Sequence, residues 1–291
     1  MKLTLPRIRE MKIEQRPIVM ITAYDHPAGR LVDEAGVDIV LVGDSAGTNV
    51  LGHSSEVPTT MDEMVLLTRS VTRSCRNPLV VADLPFLSYH VSDEEAMRNA
   101  GRLIKEGGAD AVKLEGAGAI AGRVRAITAG GIPVMGHLGL TPQTATMLGG
   151  MRAQGRGWQQ AVHLFDQALE LQAAGCFALV LECVPAQVAA AITRRVTMPV
   201  IGIGSGAGTD GQVLVLHDLL GINPETKRFV RRYAELGDAV REAVATYAAD
   251  VRARTFPQQE HTYPIAADEL SAFDSALRSR SAGAENTLVD W

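Results

Sequence analysis

The sequence predicts a (β/α)8 barrel, and two observations carry that expectation. Eight short apolar runs rich in Val, Ile and Leu recur from residue 17 to about residue 220, with longer amphipathic segments between them, the written form of successive β-α units. Most of these runs also lack the polar alternation of a half-exposed antiparallel strand, so they read as parallel strands covered on the outside by helices. A doubly wound open sheet is the competing architecture. It is disfavoured because no GxGxxG turn follows the first run and no Walker A string occurs.

In chain order the runs are PIVMITAYD, DIVLVGDS, PLVVADLP, DAVKLEG, PVMGHLG, ALVLECV, PVIGIGSG and QVLVLHD. Helix signals lie between them. Thr60 with Glu63, and Ser92 with Glu95, have the spacing of a capping box, which satisfies unpaired amides at a helix start. After Ser92, the residues Ala96, Met97, Ala100, Leu103 and Ile104 share one face at helical spacing, while Glu94, Arg98, Arg102 and Lys105 point largely outward. Beyond about residue 225, RFVRRYAELGDAVREAVATYAADVRARTF reads as one or two further helices with a polar face. The stretch from Tyr263 to Trp291 is rich in Ala, Ser and acidic residues without sustained periodicity. One barrel domain with C-terminal helices is therefore expected over 1–262, and a flexible extension over 263–291.

Composition narrows the function classes. With 291 residues, 46% of them hydrophobic, the chain can bury a barrel-sized core. Net charge is -5 and no basic-aromatic cluster appears, which argues against nucleic-acid or anionic-membrane binding and for a small-molecule partner. Cys75, Cys176 and Cys183 show no CxxC spacing and lie in or beside apolar runs, so buried, reduced thiols and a cytoplasmic setting are expected. No stretch of about 18 apolar residues occurs. A soluble, unsecreted protein is expected.

The polar residues fall at strand ends. Asp44 ends the second strand, Asp83 the third, Glu115 the fourth, His137 the fifth and Glu182 the sixth, and in a barrel these positions converge on one mouth. Carboxylates brought together repel unless a proton or cation intervenes. Three of them without a cysteine cluster favour a hard divalent cation, Mg²⁺ before Mn²⁺ or Co²⁺, because it takes few protein oxygens. Taken singly, each acid is equally readable as a helix cap or loop ion pair, and His137 as a structural histidine. Lys113 shares a strand face with Glu115; it is either an internal ion pair or a charge that stabilises a bound oxo acid and its enolate. Glu182 sits in an apolar sequence setting of the kind that raises a carboxyl pKa, which suits a general base. The glycine-rich GIGSG at 202–206 reads equally as an anion-approaching turn or an ordinary barrel turn.

Several ordered strings resemble the ketopantoate hydroxymethyltransferases over roughly residues 4–262: ITAYD, LVGDS, ADLPF, VKLEG, GHLGLTPQ, GGMRAQGRG, LVLECVP, PVIGIGSG and TDGQVLVLHD. The resemblance implies a barrel of the phosphoenolpyruvate/pyruvate type, assembled as a homo-oligomer of pentameric rings, a decamer. It implies one Mg²⁺ per subunit on Asp44, Asp83 and Glu115, the last directly or through water. Substrate contacts are implied at Asp44, Ser45, Asp83, Lys113 and His137, with Glu182 as proton acceptor. The implied reaction moves a hydroxymethyl group from 5,10-methylenetetrahydrofolate to the 2-oxo acid 3-methyl-2-oxobutanoate, giving 2-dehydropantoate in pantothenate biosynthesis. Ser205 stands where the family more often has alanine, a difference that bears on loop packing. Arg152 and Arg156 read as loop surface sooner than as a site for the folate tail.

Two other readings share the same acids. A Mg²⁺-dependent carbon-carbon lyase or mutase of the same barrel superfamily would turn over without folate, but the Lys-Lys-Cys-Gly-His string of isocitrate lyases is missing. A non-catalytic metabolite-binding barrel would bind without turnover.

Overall fold

The computed structural model describes residues 2–225 and 227–281 and divides into two compact units, Met1–Gly237 and Asp238–Trp291. In the first, α1 (Leu5–Ile13) precedes β1 (Ile18–Thr22), α2 (His26–Glu34), β2 (Ile39–Val42), a short α3 (Ala46–Asn49) and α4 (Met61–Thr72). Then come β3 (Leu79–Asp83), α5 (Asp93–Lys105), β4 (Ala111–Glu115), α6 (Ala119–Ala129), β5 (Val134–Gly139) and α7 (Trp158–Ala173). The series ends with β6 (Ala178–Glu182), α8 (Ala186–Thr193), β7 (Val200–Ile203), β8 (Gly211–Leu214) and the single turn α9 (Leu216–Leu219). All strands pair in parallel with their sequence neighbours, and β8 returns to β1, closing the barrel.

Strand alternation sorts the side chains into two apolar layers. Val80, Val112, Leu114, Leu138, Leu179 and Leu181 face outward and pack under the helices, where Ala96, Ala100 and Leu103 of α5 meet them. Met20, Leu41, Val81, Ala111, Met135, Val180 and Ile201 fill the interior, joined by Ile8 and Met11 of α1, which plugs one end. Each Val, Leu, Ile or Met among them taken fully from water stabilises the fold by about 1.5–3 kcal/mol before entropy is counted. The plug is tethered by Lys12, whose ammonium donates to Asp210 Oδ2 at 2.7 Å and to the Thr193 carbonyl at 2.9 Å. Asp210 Oδ2 also accepts from the Val200 amide.

The helix starts follow the sequence reading in part. Thr60 and Glu63 form both halves of the capping box. Ser92 accepts from the Glu95 amide at 3.1 Å, but the reciprocal bond is not formed. The seventh unit departs from expectation, because no helix separates β7 from β8. The glycine-rich connection over 204–210 is too short for a covering helix, and Ser205 ties it down by donating to the Leu181 carbonyl and accepting from the Val184 amide. With only α9 after β8, Val19 on the outer face of β1 stays half exposed.

In the second unit, the remainder of α10 (Leu236–Ala253) is followed by a 3₁₀ turn at Gln259–His261 and by α11 (Ala267–Ser281). Residues 229–235, read from sequence as part of a helix, are not helical, whereas α11 gives regular structure to most of the stretch expected to lack it. The part of that expectation falling on 282–291 lies outside the described residues. Among the described residues, no helix is long and apolar enough to cross a membrane.

Two substitutions test these supports. Lys12→Met leaves the Asp210 carboxylate short of its ammonium partner, and is expected to lower stability in urea unfolding by about 1–3 kcal/mol. Gly139 ends β5 at φ +94°, and a Cβ there would meet the Glu182 carbonyl oxygen and the Val184 side chain. Gly139→Ala is expected to cost about 1–3 kcal/mol in the same measurement.

Candidate active site

The side chains at the open end share the parity of the interior layer. On β3, Asp83 follows Val81 inward; on β4, Lys113 and Glu115 follow Ala111; on β5, His137 follows Met135; on β6, Glu182 follows Val180. Strand register then sets them side by side, Asp83 against Lys113, Glu115 against His137, and Gly139 against Glu182. Asp44, two residues past β2, completes the ring, and the whole set lines one cavity of about 410 Å³. All seven residues singled out from sequence are thereby brought to that cavity, Ser45 included.

The contacts form two chains of opposite charges. Lys113 Nζ lies 2.9 Å from Asp83 Oδ1, and Asp83 Oδ2 accepts from the Asp44 amide at 3.1 Å. His137 lies between two acids, with Nδ1 3.3 Å from Glu115 Oε1 and Nε2 3.4 Å from Glu182 Oε2. Ser45 shares a 2.8 Å hydrogen bond with the buried Tyr24 hydroxyl.

Burial and crowding set the protonation tendencies. Burial, then the charges of Asp83 and Glu115, push Asp44 well above the ordinary carboxylate range, with Lys113 opposing. Burial also raises Asp83, less so because Lys113 is in contact. Burial disfavours the Lys113 ammonium, yet Asp83, Glu115 and Asp44 together hold its pKa above the usual lysine value. His137 is opposed by burial and by Lys113, and the carboxylates of Glu115 and Glu182 nevertheless raise it to about 9. Its Nδ1 also lies 3.5 Å from Lys113 Nζ, so the imidazole faces a cation as well as two carboxylates, and its Nε2 has no hydrogen-bond partner among the described residues.

The apolar neighbours of Glu182 in sequence do not surround its carboxylate. Leu179 and Leu181 face the helices, and Glu182 keeps some exposure to the cavity beside His137. Cys75 and Cys176 are buried as expected, whereas Cys183 is half-buried and borders the cavity. Arg152 and Arg156 are exposed, as read from sequence.

Four contributors went unread in the sequence. Gln143 and Tyr89 are buried behind the acids, Glu56 lines the cavity from the segment before α4, and Phe229 lies on its edge against Gly204. Gln143 lay within the string GHLGLTPQ, but a neutral amide in a loop carries no charge signal. Glu56 and Phe229 had no strand-end position to mark them.

Cation fit follows from the oxygens. Among the described residues, no group of three or more acids, histidines or cysteines forms a ready metal cage. Both Glu115 oxygens are engaged, Oε1 facing His137 and Oε2 accepting from the Gln143 amide at 3.0 Å. Asp44 Oδ1 has no hydrogen bond among the described residues, and each Asp83 oxygen has one partner. Two carboxylates with room for water suit Mg²⁺, which keeps much of its hydration and needs no complete protein cage.

Comparison with known proteins agrees with this architecture. In fold the chain is similar to a phosphoenolpyruvate phosphomutase from Streptomyces platensis subsp. rosaceus (TM-score 0.58, 16% identity, 96% of this chain and 98% of that one). It is similar in the same way to a 2,3-dimethylmalate lyase (TM-score 0.58, 14% identity, 98% and 100%). In sequence it is 52% identical to the 3-methyl-2-oxobutanoate hydroxymethyltransferase of Nitratidesulfovibrio vulgaris over 96% of this chain and 91% of that protein. Against the enzyme of the same name from Moorella thermoacetica, identity is 55% over 90% of this chain and 98% of that protein. The family model for ketopantoate hydroxymethyltransferase matches residues 2–259, and the chain belongs to that family of transferases.

Proposed function

We propose that this protein transfers a hydroxymethyl group from 5,10-methylenetetrahydrofolate to 3-methyl-2-oxobutanoate, giving 2-dehydropantoate on the route to pantothenate. The observation that carries the reading is the convergence of Glu182, His137, Lys113 and the buried acids on one small cavity, with His137 standing between Glu182 and Glu115. A cavity of about 410 Å³ accepts a branched 2-oxo acid, and its Leu41, Val180, Ile203 and Val213 walls suit an isopropyl group. The names of the relatives, at about half identity over nearly the whole chain, support the same substrate.

Asp44 and Asp83 would hold Mg²⁺, with Glu115 acting through water. When bound, the cation draws electron density from the 2-oxo acid and acidifies its C3 hydrogen. Glu182 accepts that proton as general base, and the C–H electron pair passes into the enolate. The Lys113 ammonium stabilises the negative charge that develops on the keto oxygen. The enolate carbon then bonds to the one-carbon unit of the folate, water supplies the hydroxyl oxygen, and the folate nitrogen leaves. His137 donates a hydrogen bond to the new hydroxyl. This reading brings with it a cytoplasmic homo-oligomer, a decamer of pentameric rings. All residues given a role lie in the first unit, and the extension beyond the barrel is given none.

The lyase and mutase reading draws on the likeness of fold alone, at 14–16% identity, and no contact in the cavity favours it. Proton NMR in D₂O separates the possibilities. With protein and Mg²⁺, the C3 methine signal of 3-methyl-2-oxobutanoate should disappear, and a hydroxymethyl product should form once methylenetetrahydrofolate is added. A folded, Mg²⁺-supplied sample giving neither would reject the substrate. Glu182→Gln should retain substrate binding while slowing the exchange by about 10²–10⁴-fold; unchanged exchange removes Glu182 from its role.

A second variant probes the charge balance. Lys113→Met strands Asp83 among like charges and is expected to cost about 3–5 kcal/mol in urea unfolding. Adding Asp83→Asn should recover part of that loss in a double-mutant cycle.

A further inference from the structure

We propose that Gln143 is a positioning residue that determines which carboxylate oxygens of Asp44 and Glu115 remain open to the divalent cation, and that Tyr89 determines how Gln143 is oriented. The proposal rests on the functional reading above in taking Asp44 as a cation ligand.

Gln143 sits in the 3₁₀ turn Pro142–Thr144 that follows β5, and it is buried. Every polar group of its side chain is matched. Nε2 donates to Asp44 Oδ2 at 2.8 Å and to the Leu84 carbonyl at 2.9 Å. Its Oε1 accepts from the Tyr89 hydroxyl at 2.7 Å. That hydroxyl accepts from the Glu115 amide at 3.2 Å and lies 3.2 Å from the Glu115 carbonyl, which competes for its single hydrogen over a longer distance than Gln143 does. A flipped amide would set Oε1 against two acceptors, the Asp44 carboxylate and the Leu84 carbonyl, leaving buried groups unpaired at about 1–3 kcal/mol each. Those two acceptors fix the orientation.

This one residue reaches acids on two strands. Through Nε2 it occupies Asp44 Oδ2, which leaves Oδ1 as the oxygen without a hydrogen bond. Through its backbone amide it occupies Glu115 Oε2 at 3.0 Å, while His137 faces the other oxygen. Asp44 is thus left with one oxygen free of hydrogen bonds, while both Glu115 oxygens face a partner. The Leu84 bond fixes the chain immediately after Asp83, the remaining acid of the set. Partners that orient ligands in this way tune metal affinity without touching the ion.

The test uses the full chain as wild type, Gln143→Met and Tyr89→Phe. Isothermal titration with MgCl₂ alone gives Kd and stoichiometry, thermal unfolding gives the folded state, and steady-state turnover is followed against Mg²⁺ concentration. Gln143→Met, close in shape and unable to donate, is expected to weaken Mg²⁺ binding about 10–100-fold at unchanged stoichiometry, with kcat recovering toward wild type at saturating Mg²⁺. Tyr89→Phe should show a smaller loss of the same sign. A purely structural role would lower the unfolding temperature and the bound fraction while leaving Kd and the Mg²⁺ dependence of kcat unmoved, and that result overturns the proposal. Should Gln143→Met fail to fold, Tyr89→Phe decides: a wild-type Kd there overturns it equally. Wild type that binds Mg²⁺ more tightly than Gln143→Met, yet exchanges no C3 proton, supports the positioning role and sinks the functional reading alone.

Discussion

The ion pair between Lys113 and Asp83 is what lets so many acids share the rim of this barrel. Parallel strands deliver all their C-terminal ends to one side, and here four of those ends bring carboxylates within one cavity. An unpaired buried carboxylate costs several kcal/mol or takes up a proton, and burial pushes both Asp44 and Asp83 in that direction. Lys113 opposes the push from its place in register beside Asp83. His137 stands between Glu115 and Glu182 on the next strand and faces both carboxylates. Lys227 and Arg228 also border the cavity, beside a fifth carboxylate, Glu56.

The apolar layer below this rim allows such a charge cluster to remain in place. Leu41, Val180, Ile203 and Val213 reach from the inner core to the cavity wall, and α1 closes the other end with Ile8 and Met11. The acids sit buried above this closed core, and burial strengthens each charge contact. Lys12 couples this plug to Asp210 at the start of β8, so the closure of the barrel and the dryness of its interior rest on the same short contacts.

Sequence carried the strand ends well because two periodicities coincide there. A strand's period of two put Asp83, Lys113, Glu115 and Glu182 on the inner face with Val81, Ala111 and Val180, and the spacing of one β-α unit placed successive acids on neighbouring strands. Neither periodicity extends into loops. Gln143 and Tyr89 reach the acids through turns whose conformation depends on tertiary contacts, and Tyr24 does so through a hydroxyl aimed at Ser45. The apolar neighbours of Glu182 divide between two faces, because adjacent residues on a strand point to opposite sides: Val180 lines the cavity while Leu179 and Leu181 face the helices. Likewise the seventh helix was expected from the rhythm of earlier units, while seven residues with three glycines simply span the gap.

The backbone after Glu182 shows how the proposed base is held at the edge of this rim. Cys183 takes a left-handed conformation, φ 51°, that a non-glycine residue adopts only under constraint. Its amide donates to the Ile203 carbonyl at 2.8 Å and its carbonyl accepts from the Gln154 amide at 3.0 Å. Glu182 is therefore anchored on one side to β7 and on the other to the long loop after β5, the loop that also carries Gln143. The same loop thus joins the base at β6 to the acids at β2 and β4. One loop therefore holds backbone contacts to both halves of the site, through Gln154 to Cys183 and through Gln143 to Glu115.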